Sequence, residues 1–87
     1  MPMPKPHVIF YSRPNCHLCD LAKESIEEAN CADKYTLATV NIEDDAELLG
    51  RYALAIPVVT INGREEFRYE VNPQRFRELI LKYGNTI

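Results

Sequence analysis

The sequence predicts an α/β fold, a four-stranded mixed sheet flanked by helices, with its elements in the order β-α-β-α-β-β-α. Three observations carry that reading. Short apolar runs alternate with stretches of helical periodicity from Val8 to Ala53, as in βαβ units. Asn62-Gly63 then separates two strand-like runs, the strongest short hairpin signal in the chain. Finally, Cys16-His17-Leu18-Cys19 places two cysteines directly after the first apolar run and at the opening of the first helical stretch.

Each element has its own justification. His7 to Tyr11 is short, apolar and too continuous to leave one face wet, as a buried central strand reads. Ser12-Arg13-Pro14-Asn15 is turn chemistry, with Ser12 or Asn15 available to cap the first helix. From about Cys16 to Cys31, Leu18, Leu21, Ala22, Ile26 and Ala29 recur at helical spacing, with Lys23, Glu24, Glu27 and Glu28 on the other face. Tyr35 to Ile42 carries β-branched residues in partial alternation and makes a second strand. Asp44 and Asp45 open a short helix to about Ala53, whose apolar stripe is Ala46, Leu48, Leu49 and Tyr52.

Ile56 to Ile61 is a third strand with proline near its start, the position where a strand tolerates one. The Asn62-Gly63 turn leads into a fourth strand, about Glu65 to Glu70. Asn72-Pro73 supplies an N-cap and a proline at the first helical position. The last helix runs from Pro73 to about Tyr83, burying Phe76, Leu79, Ile80 and Tyr83, with Gly84 as its stop.

The first β-α-β unit requires a right-handed crossover between parallel strands, and the hairpin adds two antiparallel ones. The result is a thioredoxin-like arrangement with strand order 2-1-3-4. Strand one is then central, and the Cys16 turn falls at the C-terminal edge of the parallel strands, where open α/β sheets form sites. Residues 1–6 hold three prolines and read as an extended leader outside the fold, residues 7–84 as a single domain, and residues 85–87 as a short tail.

Composition excludes several classes of function. Eighty-seven residues make one small domain, with 46% apolar and 26% charged residues. A net charge of −3 and no run of Lys or Arg leave no footprint for nucleic acid. No stretch approaches the roughly 18 consecutive apolar residues of a membrane helix. The N-terminus has no apolar core of a signal peptide, so the chain reads as cytoplasmic, and it is expected to be a monomer. Three cysteines without an export signal do not make a structural disulfide framework. A structural zinc site wants two short-spaced ligand clusters; only one exists, and no metal site is assigned within one chain.

A Cys-x-x-Cys on the first strand-to-helix turn reads as a thiol–disulfide redox pair. The first helical turn has unpaired amides and the positive end of the helix dipole, so a cysteine there ionises more easily, and the thiolate is the nucleophile. Cys16 is the candidate nucleophile, and Cys19, one turn further in, the candidate resolving thiol. The competing readings are two cysteines that merely pack at a helix start, and four thiolates from two chains around a metal or Fe–S cluster.

Around that pair, Pro57 reads either as a plain strand-start proline or as a cis proline that frees the Ile56 backbone to pair with substrate. His17 is either a partner for the Cys16 thiolate or a solvated helix residue, and Arg13 either a contact for thiolate or anionic substrate or a solvated loop charge. Tyr11 either borders the site or caps its strand. Cys31 reads as a small core hydrophobe or an ordinary surface thiol, with no catalytic role.

The segment Val8 to Cys19 resembles the opening of glutaredoxins, Ile56-Pro57-Val58 resembles their cis-proline loop, and Asn62-Gly63 their hairpin. In detail the chain is most similar to small bacterial glutaredoxin-like proteins that carry Cys-His-Leu-Cys. The resemblance implies that Cys16 attacks, Cys19 resolves and the Ile56 backbone beside Pro57 pairs with substrate. It implies a dithiol oxidoreductase with no resident cofactor, acting on protein disulfides, with glutathione or a thioredoxin-type reductase as reductant. Two departures stand out. His17 and Leu18 replace the usual Pro-Tyr between the cysteines, and Arg68-Tyr69-Glu70-Val71-Asn72 stands where a Gly-Gly-x-Asp segment typically holds glutathione. A metal carrier and a non-catalytic binding module remain the alternative functions.

Overall fold

Strand β1 (His7–Ser12) occupies the middle of the sheet, paired on one side with β2 (Thr36–Asn41) and on the other with β3 (Val58–Ile61). The computed structural model describes residues 4–84. β1 and β2 are parallel, whereas β3 runs antiparallel to β1 and to β4 (Arg64–Arg68). Strand order is therefore 2-1-3-4, as expected from the sequence. Three helices complete the fold: α1 (His17–Glu28), α2 (Ala46–Tyr52) and α3 (Pro73–Gly84).

The sheet divides the apolar residues into two groups. On one face Val8, Phe10, Val59 and Ile61 pack with Cys19, Ala22 and Ile26 of α1 and Phe76, Leu79 and Ile80 of α3. Phe76 is its hub, with the rings of Tyr35 edge-on at 5.3 Å and Phe67 tilted at 6.2 Å. Burying one such phenylalanine stabilises the domain by about 1.5–3 kcal/mol. On the other face Val58 packs with Ile42, Tyr52 and Ala55, joined by half-buried Tyr11, Leu48 and Leu49. α2 is the helix that supplies this second, smaller core.

Several boundaries differ from the sequence reading, each for a local reason. α1 begins at His17 with Cys16 as its N-cap, and it stops at Glu28 because Asn30 takes a left-handed φ of 53°. Cys31 thus lies beyond the helix, leading into a 3-10 turn at Ala32–Lys34 that the sequence did not announce. A second 3-10 turn, Ile42–Asp44, takes up Asp44, so Asp45 alone caps α2, its Oδ1 accepting the amides of Glu47 and Leu48. β3 starts at Val58, two residues after Ile56.

The two-residue loop Asn62-Gly63, with φ of 51° and 85°, is a type I′ turn. A bulge follows at Glu66, and β4 ends at Arg68 because Tyr69 turns left-handed. Asn72 caps α3 by accepting the amide of Arg75, and Gly84 is the helix's last residue rather than a stop beyond it. Pro6 is buried and its carbonyl accepts the Thr36 amide, which corrects the placing of residues 1–6 wholly outside the fold. The beginning of that leader and the 85–87 tail lie outside the described residues.

Candidate functional site

The chain leaves β1 at Ser12 and reverses through Arg13-Pro14-Asn15, where Asn15 takes a φ of 58° that asparagine tolerates well. That turn delivers Cys16 to the N-cap of α1, with extended φ of −107° and ψ of 106°. Its sulfur accepts the backbone N–H of Cys19 at 3.1 Å. A serine or aspartate oxygen ordinarily fills this role; here a sulfur sits among unpaired first-turn amides at the positive end of the helix dipole. Both features stabilise negative charge on that atom.

Cys19 lies one turn into the helix, 5% exposed, whereas Cys16 is half-buried and reachable from solvent. Their Cα atoms are 5.2 Å apart, within the range a disulfide spans, and the two sulfurs are at bonding distance. The arrangement is an oxidised pair with one accessible and one sheltered sulfur. Such a pair can open by attack on Cys16 and close by return of Cys19.

β3 brings the second segment to the same place. Val58 pairs with Tyr11 at the end of β1, so Ile56-Pro57 lies across from the turn that leads to Cys16. The Ile56–Pro57 peptide is cis, Pro57 is buried, and half-buried Ile56 packs against both cores while Cys16 packs against the larger one. On the far side of β3, Val58 pairs with Arg68, and the Tyr69 amide donates to the Pro57 carbonyl at 2.8 Å. The Cys16 turn, Pro57 and Tyr69 therefore form one row at a single end of the sheet.

The remaining candidates are placed differently. Tyr11 turns toward the smaller core, its ring 4.9 Å from that of Tyr52. Arg13 is engaged by Glu43, with Nε and Nη2 at 3.2 and 3.0 Å from one carboxylate oxygen. His17 is exposed on the first turn of α1. Cys31, 1% exposed, sits in the larger core, and burial raises its thiol pKa above the ordinary value, against the opposing pull of Arg77. It is the small core hydrophobe, not a surface thiol.

Glu43 and Tyr69 were not singled out as site residues by sequence reasoning. Glu43 carries no local signal, since its partner is 30 residues away. Tyr69 is different: four non-glycine residues have positive φ among the described residues, three are asparagines, and the fourth is Tyr69 at 73°. A bulky residue held there costs on the order of 1–3 kcal/mol. The departure from glycine at this point of the sequence was its one visible sign. Among the described residues, no group of three or more His, Cys, Asp or Glu is gathered to hold a metal ion, and no helix is long and apolar enough to cross a membrane.

Residues 7–81 match the family model described as "Glutaredoxin-like domain (DUF836)". No curated protein matches the chain. Among solved structures, a structural genomics target from X. campestris is 31% identical over 86% of this chain and 96% of its own, with a TM-score of 0.73. A mutant thioredoxin from Halobacterium salinarum, 12% identical, covers 97% of this chain and 79% of its own at a TM-score of 0.69. Oxidised mitochondrial thioredoxin 3 from Saccharomyces cerevisiae, 11% identical, covers 91% and 79% at 0.65. The two thioredoxins share the fold, and their likeness is read no further.

Proposed function

Because the chain belongs to the glutaredoxin-like domain family, we propose that it is a thiol–disulfide oxidoreductase in which Cys16 attacks and Cys19 resolves. The observation that carries the proposal is the Cys16 sulfur at the N-cap of α1, accepting the Cys19 amide and half open to solvent, with Cys19 sheltered behind it. A free thiol is only a few per cent ionised at neutral pH, and sites of this kind lower its pKa to about 3.5–7.5.

In the reducing direction, the Cys16 thiolate attacks one sulfur of a substrate disulfide. A Cys16–substrate bond forms, and the departing thiolate takes a proton from solvent. The Cys19 thiolate then attacks the Cys16 sulfur, closing the intramolecular disulfide and releasing the second substrate thiol. Two electrons pass to the substrate, and a thiol reductant, either glutathione or a dithiol protein, returns the pair to its reduced form. Ile56 and Pro57, across from the Cys16 turn, are the segment that positions the substrate chain. Arg13 contributes through its pair with Glu43, which fixes the loop ahead of Cys16.

The test is the redox equilibrium of the pair against glutathione buffers, together with trapping by Cys19→Ser. A reversible two-electron couple between roughly −120 and −270 mV, with a mixed disulfide accumulating on Cys16 in the variant, supports the proposal. Absence of any reversible couple overturns it.

A further inference from the structure

Tyr69 combines four properties. It is a bulky residue in left-handed backbone conformation, with a φ of 73°, where glycine or asparagine is at home. It is tied to the site, since its amide donates to the carbonyl of Pro57. Its own side chain is not hidden, for the residue is 49% exposed. And its neighbours Phe67, Glu70 and Val71 line an open cleft of about 320 Å³ that runs toward the start of α3. A strained, bulky, exposed residue gains nothing for the core; the conformation persists because the surrounding backbone holds it.

Position gives the strain a use. Across the sheet, Tyr11, Val58 and Arg68 form one row, so the residues just beyond them, the Cys16 turn, Pro57 and Tyr69, stand side by side. Two strand spacings put Tyr69 about 10 Å from the end of β1, a distance that a few residues of extended chain bridge. Two further apolar side chains stand free close to the same segments: Leu18, two residues after Cys16 and 48% exposed, and Leu54, two residues before Ile56 and 92% exposed.

We infer that Tyr69 is a specificity-determining residue of the Cys16 site, selecting disulfides carried on a polypeptide with an apolar side chain beside the half-cystine over small, charged disulfides. The ring supplies apolar surface on the Pro57 side of the approach, and the adjoining cleft gives room for chain beyond the half-cystine. A small disulfide has no atoms to reach either. The inference rests on thiol–disulfide exchange at Cys16, whose bond changes are those described above, with the same thiol reductant.

The experiment uses the full chain and three probes: a disulfide-linked peptide with leucine beside one half-cystine, the same peptide with glutamate there, and cystine. Rates are compared for the wild type, Tyr69→Phe, Tyr69→Asn and Tyr69→Gly. Asparagine and glycine both accept the left-handed conformation, so these variants fold and have thermal midpoints at or above that of the wild type. The expected result is that the ratio of kcat/KM for the leucine peptide to that for cystine falls about tenfold in Tyr69→Gly and Tyr69→Asn, through KM, and is kept in Tyr69→Phe. A ratio unchanged within about twofold in both overturns the inference while leaving exchange at Cys16 standing. A wild type that prefers cystine or the glutamate peptide overturns it too. A wild type that reduces none of the three overturns the exchange reading itself.

Discussion

The two ends of helix α1 present the same side chain in opposite circumstances. At the N-terminal end the Cys16 sulfur is half open to solvent and accepts a backbone amide, in the positive field of the helix. Just past the C-terminal end Cys31 is almost wholly buried among apolar residues, where desolvation disfavours its charged form. Cys19, between them, has the burial of the second and is the partner of the first. Thiol chemistry in this chain is thus set by the cap and the core, not by the residue type. A cysteine count alone would treat the three as equals.

The largest effect should come from removing the favourable end. Cys16→Ser is expected to lose disulfide reduction to the uncatalysed background, because a hydroxyl is scarcely ionised at neutral pH, while Cys31→Ala keeps turnover near the wild-type rate; a steady-state reductase assay on the two reads this directly. Reactivity offers a second comparison. After mild reduction, iodoacetamide at neutral pH should modify Cys16 first and leave Cys31 unmodified until denaturant is added, as peptide masses will record. Early labelling of Cys31 would undo the contrast.

The third comparison uses pH. Burial raises the folded-state pKa of Cys31, so the folded chain holds its proton where the unfolded chain releases it. Its contribution to stability is therefore complete below the unfolded pKa of about 8.5 and declines as pH rises from there toward the folded value. Tyr35, raised by its own burial and then by Cys31 and Glu27, acts in the same sense from about pH 10 upward. With the Cys16–Cys19 bond intact, urea midpoints measured from pH 7 to pH 10 should fall more steeply for the wild type than for Cys31→Ala. At pH 7 that variant should lose about 1 kcal/mol, the scale of one buried methyl-sized group.

The smallest effect concerns the loop before Cys16. Arg13 and Glu43 are more than a third exposed, and pairs of that kind are worth about 0.2–1 kcal/mol. Glu43→Gln should lower stability within that range and less in high salt. A larger loss in a denaturant titration would mean that the pair does more than steady the turn.

Much of this was readable from the chain, and the reason is locality. The strand order follows from short apolar runs, the Asn62-Gly63 turn and a central first strand, and the cysteine pair announces itself by spacing. Asp45 and Asn72 likewise cap their helices through neighbours two or three residues on. What escaped depends on distant or conformational facts. Arg13 meets a carboxylate from the 3-10 turn that follows β2, and Pro6 is drawn in by its bond to Thr36. Tyr69 shows the limit most clearly, because nothing local favours a left-handed tyrosine; its bond to Pro57, set by the hairpin's register, holds it there.

The central place of β1 also bears on how the molecule comes into being. The strand nearest the N-terminus waits for both of its neighbours: His7 pairs with Thr36, and its amide donates to the Asn62 side chain 55 positions later. At ribosomal speeds of about 5–20 residues per second that interval lasts roughly 3 to 11 s. All three cysteines are made within it, on a nascent chain with no finished sheet to shelter them. The half-open setting of Cys16 and the burial of Cys31 are therefore acquired late, when the hairpin completes the sheet around β1.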